Sequence, residues 1–219
     1  MLKCEVLEPK ATADSAVIWL HGLGASGHDF VPVVPHLGLP DHHGIRFVFP
    51  HAPEIPVTIN GGMVMPAWYD ILAVSIEREI DLEGIKLSSA AVRELIQREL
   101  DAGIANERIV IAGFSQGGAV AYHTALSYPK PLAGLMALSA YFATAKEVNL
   151  SEANSALPVH IFHGTKDPMV PEEMGHNANQ ILESMGFAPK YRSYSMLHEV
   201  CMEEIEDVGR SLKSWLQLG

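Results

Sequence analysis

RIVIAGFSQGGAVAYHTAL, residues 108–126, decides how the rest of the chain is read. An apolar run, Ile109 to Ala112, stops at Gly113, and an alanine-rich segment begins after Gly117. Ser115 stands between the two glycines, giving G-x-S-x-G at a strand-to-helix junction. That pattern forces the serine into a sharp, strained turn with its hydroxyl at the C-terminal edge of a sheet. A side chain at 113 or 117 would collide with backbone where strand and helix nearly touch, so glycine is needed there. The helix N-terminus then lies beneath the serine, where its amides favour developing negative charge. The stretch reads as a nucleophile elbow.

Working outward, other apolar runs resemble this strand: AVIWL (16–20), IRFVFP (45–50), LAGLMALSA (132–140) and VHIFHG (159–164). They are continuous rather than alternating, as parallel strands covered on both faces are. Helical patterns fall between them. Val92, Leu95, Ile96 and Leu100 mark one face of 88–100, with Ser88 or Ser89 as its cap. The segment 116–128 stops before Pro129, 173–186 ends on Gly186, and the stripe Ile205, Val208, Leu212 and Trp215 runs along 200–217. Alternating strands and helices predict an α/β fold with a mainly parallel central sheet flanked by helices. No repeat, low-complexity tract or linker interrupts 1–219, so a single domain is expected. Residues 51–87 break the rhythm, and an excursion of that length predicts a functional cover.

A nucleophilic serine needs a base and an acid, and in this fold they follow in the order Ser, Asp or Glu, His. Two aspartates lie after Ser115. Asp207 sits inside the last helical pattern, whereas Asp167 follows the strand-like VHIFHG. Two histidines follow Asp167: His176 lies within a helical pattern, and His198 follows the strand-like start of KYRSYSMLHEV (190–200). Elimination leaves Ser115, Asp167 and His198 as the catalytic candidates. An oxyanion hole needs the amide after the nucleophile, Gln116, and one from a loop after an early strand. AVIWLHGLGASGHDF (16–30) supplies that loop, with Leu23 as the donor. Leu23, Met63, Met65, Trp68, Ile71, Leu72 and Phe114 are the apolar candidates for contacting substrate, and methionines adapt to varied acyl chains.

Composition bounds the partners. The 219 residues carry a net charge of −11 and are 48% hydrophobic, enough to bury a sizeable core. The acidic balance disfavours nucleic acid and anionic membrane surfaces. No 18-residue apolar run or signal-like N-terminus is present, so no stable membrane anchor and a cytoplasmic location with reduced Cys4 and Cys201 are expected. His160 and His163 flank a strand with no nearby cysteine, too little for a metal site, and His42, His43 and His51 receive no ligand role. Cys201 reads as a small residue opening the last helix.

HGLG (21–24), FPHAP (49–53), PAWYD (66–70), GFSQGGA (113–119), HGTKDPMVP (163–171) and LHE (197–199) span nearly the whole chain in order. With them the chain resembles the phospholipase/carboxylesterase group of α/β-hydrolases, which includes acyl-protein thioesterases. The resemblance implies an α/β-hydrolase fold without a large cap domain, no metal or organic cofactor, small-molecule ester or thioester substrates, and the same triad and oxyanion pair. Relatives are often dimers, so a homodimer is among the assemblies it allows. Many relatives carry an aspartate after HGLG, where this chain has Ala25 and Ser26. The expected activity is a serine carboxylesterase on short to medium acyl chains. The alternatives are a long-chain acyl-protein thioesterase or lysophospholipase, and a non-catalytic binder of hydrophobic ligands.

Overall fold

A computed structural model describes residues 1–72 and 81–218. Strands β1 (Cys4–Leu7), β2 (Ser15–Leu20), β3 (Ile45–Pro50), β6 (Ile109–Phe114), β7 (Gly134–Leu138), β8 (Val159–Gly164) and β9 (Lys190–Tyr194) form one sheet in the order β1-β3-β2-β6-β7-β8-β9. Among the described residues, only β1 runs antiparallel, along β3, and every other pairing in this sheet is parallel. Strands β4 (Glu54–Val57) and β5 (Met63–Pro66) make a separate antiparallel hairpin.

The helices are α1 (Leu82–Asp101), α2 (Gln116–Ser127), α3 (Glu172–Ser184) and α4 (Met202–Trp215). Alternate strand residues feed two cores. Ala16, Ile18 and Leu20 pack with Val92, Leu95, Ile96, Val120, Ala178 and Leu182, so α1, α2 and α3 cover one face. Val17 and Trp19 pack with Phe30, Val33, Ile205, Val208 and Leu212, so α4 and the 3-10 segment Gly27–His36 cover the other. Each fully buried branched or aromatic side chain contributes roughly 1.5–3 kcal/mol, so covering both faces sets the continuous apolar runs.

One expectation changes. Helix α1 starts at Leu82, not at Ser88 or Ser89, because Asp81 caps it: the carboxylate accepts the Gly84 N–H at 2.9 Å. Ser88 and Ser89 are instead buried in the helix, where they bind Trp68 and Thr124. The long excursion contains the β4–β5 hairpin, and its residues 73–80 lie outside the described residues.

Candidate active site

The elbow forms where β6 meets α2. Ser115 has φ 54° and ψ −119°, a left-handed backbone rare for a residue with a side chain. Its N–H donates to the Leu138 carbonyl at 2.9 Å, which ties the turn to β7. A Cβ at Gly113 would lie 2.4 Å from the Gly117 carbonyl, and one at Gly117 would lie 2.5 Å from the His21 carbonyl. Neither position admits a side chain without moving backbone.

Asp167 follows β8 and His198 follows β9, so β7 stands between the elbow and both of them in the sheet order. His198 Nε2 lies 2.9 Å from Ser115 Oγ, and its Nδ1 lies 2.7 Å from Asp167 Oδ2. Facing a carboxylate, Nδ1 carries the proton, which leaves Nε2 to accept from the serine. Asp167 Oδ1 accepts the Met169 and Val170 amides, each at 2.9 Å. Burial opposes its charge, but the His198 bond and these amides prevail and hold the carboxyl below its usual range. His163, fully buried beneath this turn, lies 2.8 Å from the Val170 carbonyl through Nε2. Burial lowers its pKa, so the ring is neutral and donates there.

The loop after β2 approaches from the opposite side. Among the described residues, no hydrogen-bond acceptor pairs with the Leu23 or Gln116 N–H. Buried His21 accepts the Ala52 N–H on Nε2 at 3.0 Å, so its Nδ1 carries the proton and donates to the Gly22 carbonyl at 2.7 Å. That carbonyl belongs to the same rigid peptide as the Leu23 N–H, so His21 sets the direction of the donor. Ser26 and Asp29 supply a local clasp despite the missing aspartate after HGLG. The Ser26 N–H donates to Asp29 at 3.0 Å, and Ser26 Oγ accepts the His28 N–H at 3.3 Å.

A cavity of about 410 Å³ adjoins Ser115 and His198. That volume falls within the ~300–1,000 Å³ of small-molecule sites. Leu23, Ile71 and Phe114 line it, together with Phe30, Val33, Ile59, Met169, Val170 and Val200. Four of the expected contacts lie outside this lining. Trp68 is buried in the core, with its indole N–H bound to the His21 carbonyl. Met63 and Leu72 are exposed, and Met65 takes a contact from the Asn60 side chain. Apolar composition could not separate these roles, because the hairpin turns Met63 outward and the core swallows Trp68. Phe30 and Val33 were missed for the converse reason: they enter on a 3-10 segment whose Pro32 and Pro35 erase helical periodicity.

The family model for Phospholipase/Carboxylesterase matches residues 2–216. The chain belongs to the phospholipase/carboxylesterase family. This family member is a carboxylic ester hydrolase of the serine type with an α/β-hydrolase fold. It is similar to acyl-protein thioesterase 1 of Gibberella zeae, 38% identical over 95% of this chain and 94% of that protein. The corresponding protein of Cryptococcus neoformans is 38% identical over 98% of this chain and 96% of its own length. Among solved structures, Zea mays acyl-protein thioesterase 2 superposes with a TM-score of 0.88 at 29% identity, covering 99% of this chain and 100% of that one. Arabidopsis thaliana SOBER1 gives 0.86 at 30% identity, over 92% of this chain and 99% of that one.

In this esterase three further histidines make structural contacts: His160, His28 and His51. His160 Nδ1 meets Ser211 Oγ at 2.7 Å, and burial pushes its pKa down to about 4. Glu5, His28 and His51 bring three ligand-type atoms within 4.8 Å of one another, a grouping not legible in the sequence. However, His51 Nδ1 accepts the Gly27 N–H at 3.2 Å, which puts the neutral ring's proton on Nε2, toward Glu5 at 3.1 Å. A metal on Nε2 would force that proton onto Nδ1, against the Gly27 N–H. The trio therefore fits a hydrogen-bonded cluster better than a metal centre. Among the described residues, no helix is long and apolar enough to cross a membrane.

Proposed function

We propose that this enzyme hydrolyses carboxylic esters and thioesters of short to medium acyl chains through an acyl-enzyme on Ser115. The observation that carries the reading is the Ser115–His198–Asp167 relay, with spacings of 2.9 Å and 2.7 Å, beside an apolar cavity. His198 Nε2 takes the hydroxyl proton as Ser115 Oγ attacks the carbonyl carbon. Asp167 orients the imidazole and stabilises its charged form. The Leu23 and Gln116 amides receive the tetrahedral oxyanion, and losing one such donor costs ~3 kcal/mol of transition-state stabilisation. Collapse of that intermediate expels the alcohol or the thiol, which takes up the proton from His198 and restores the imidazole as a base. Water then attacks the acyl-enzyme with the same base.

Thioester hydrolysis is included because the relatives at 38% identity are acyl-protein thioesterases. The test is a panel of C2 to C16 p-nitrophenyl esters and matching acyl thioesters, run on wild type and Ser115→Ala. Turnover should peak below the longest chains and fall by about 10⁴–10⁶-fold in the variant. A maximum at C16 favours the long-chain reading instead. A fluorophosphonate that labels wild type at Ser115 excludes a non-catalytic binder.

A further inference from the structure

Beyond the last registered pair, Leu20 with Gly113, strands β2 and β6 part. Residues 22–24 and 115–117, which carry the two proposed oxyanion amides, share no backbone hydrogen bond among the described residues. What joins them is a third segment, Pro66–Tyr69, which comes from neither strand. It makes two bonds to each side. The Gly24 N–H donates to the Pro66 carbonyl at 2.8 Å, and the Trp68 indole N–H donates to the His21 carbonyl at 2.8 Å. On the other side, the Trp68 backbone N–H donates to Gln116 Oε1 at 2.8 Å, and Gln116 Nε2 donates to the Tyr69 carbonyl at 2.7 Å. Trp68 and Gln116 are buried, and the Ser88 hydroxyl of α1 holds the Trp68 carbonyl from behind.

We propose that Trp68 is a positioning residue for the oxyanion hole, bridging its two halves through one side-chain and one backbone donor. The inference rests on the proposed roles of Ser115, Leu23 and Gln116. The indole holds the carbonyl of His21, two residues before Leu23, while the Trp68 backbone holds the side chain of the residue that supplies the other amide. Leu23 thus lies between two pinned neighbours, His21 and Gly24. Fixed donors stabilise charge that develops in the transition state without having to reorganise. A bridge of this kind acts on kcat and leaves ground-state binding alone.

Trp68→Phe removes the indole N–H and keeps the buried ring and the backbone donor. Gln116→Met removes both side-chain bonds and keeps the Gln116 N–H. Each variant should lower kcat on a p-nitrophenyl ester about tenfold, with KM within about twofold. Affinity for an alkylthiomethyl trifluoromethyl ketone, whose hemiketal places an oxyanion in the hole, should fall by a similar factor. Affinity for the matching methylene thioether, which has no carbonyl, should stay unchanged. Folded variants with wild-type kcat and ketone affinity would overturn the proposal. So would equal losses for ketone and thioether, which mark a general structural role. Ser115→Ala separates the two levels: turnover surviving there sinks the nucleophile assignment, whereas a dead Ser115→Ala beside fully active Trp68→Phe sinks the bridge alone.

Discussion

Ser115 occupies a backbone region, φ 54° and ψ −119°, that costs a non-glycine residue roughly 1–3 kcal/mol. The strain lifts the hydroxyl off the helix axis, toward His198. It also predicts a stability difference between two dead variants. Ser115→Gly relieves the positive φ, whereas Ser115→Ala keeps the Cβ and the strain. Calorimetry should find Ser115→Gly more stable than Ser115→Ala by about 1 kcal/mol, with neither turning over ester. Equal melting temperatures would mean that the turn stores no strain at this residue. That Ser115, Asp167 and His198 would meet was legible from motif and chain order. His21 and His163 were not legible as positioning groups, because their roles depend on backbone carbonyls that approach only after folding.

At the scale of elements, the N-terminus of α4 carries an unusual group. Glu204 is fully buried, and neither carboxylate oxygen has a hydrogen-bond partner of good geometry among the described residues. Burial pushes its pKa up to about 8, against the pull of the Cys201 backbone amide, with nearby Asp207 adding to the rise. The native state therefore holds a proton that the unfolded chain, with an ordinary glutamate, releases above about pH 4.3. Wherever the native state binds more protons, stability falls as pH rises, here up to about 8. Glu204→Gln, neutral throughout, escapes that loss. Its melting temperature relative to wild type should climb by several degrees between pH 5 and pH 8.5, roughly what a shift of a few kcal/mol produces in a chain of this size. A constant difference across that range would show that Glu204 does not titrate in the fold. The elements themselves were unevenly legible. The long buried strands and α2 read clearly. Strand β1, the β4–β5 hairpin and the 3-10 segment did not, because short edge strands and proline-broken turns lack a period to detect.

Across the whole molecule, a net charge of −11 surrounds a cavity whose described lining includes Asp29 and Glu199 and no lysine or arginine. Such a field slows the approach of polyanions and leaves neutral substrates untouched. An acyl-coenzyme A thioester should therefore gain several-fold in kcat/KM as ionic strength rises from about 0.01 M to 0.15 M, where the screening length drops from about 30 Å to 8 Å. The p-nitrophenyl ester of the same acid should show no such gain. Parallel salt responses for the two substrates would remove the electrostatic argument.

By itself, the sequence determined the sheet-and-helix alternation, the glycine-flanked serine, and the candidates for the acid, the base and the two oxyanion donors. These are local matters: unbroken apolar runs, obligatory glycines and chain order survive without knowledge of distant contacts. Only the tertiary structure decided which apolar residues face the cavity, and that Trp68 turns inward to join His21 and Gln116. The physical reason is that a tryptophan's apolar surface suits core and pocket equally. Its assignment is made by hydrogen-bond partners tens of residues away, which no local pattern encodes.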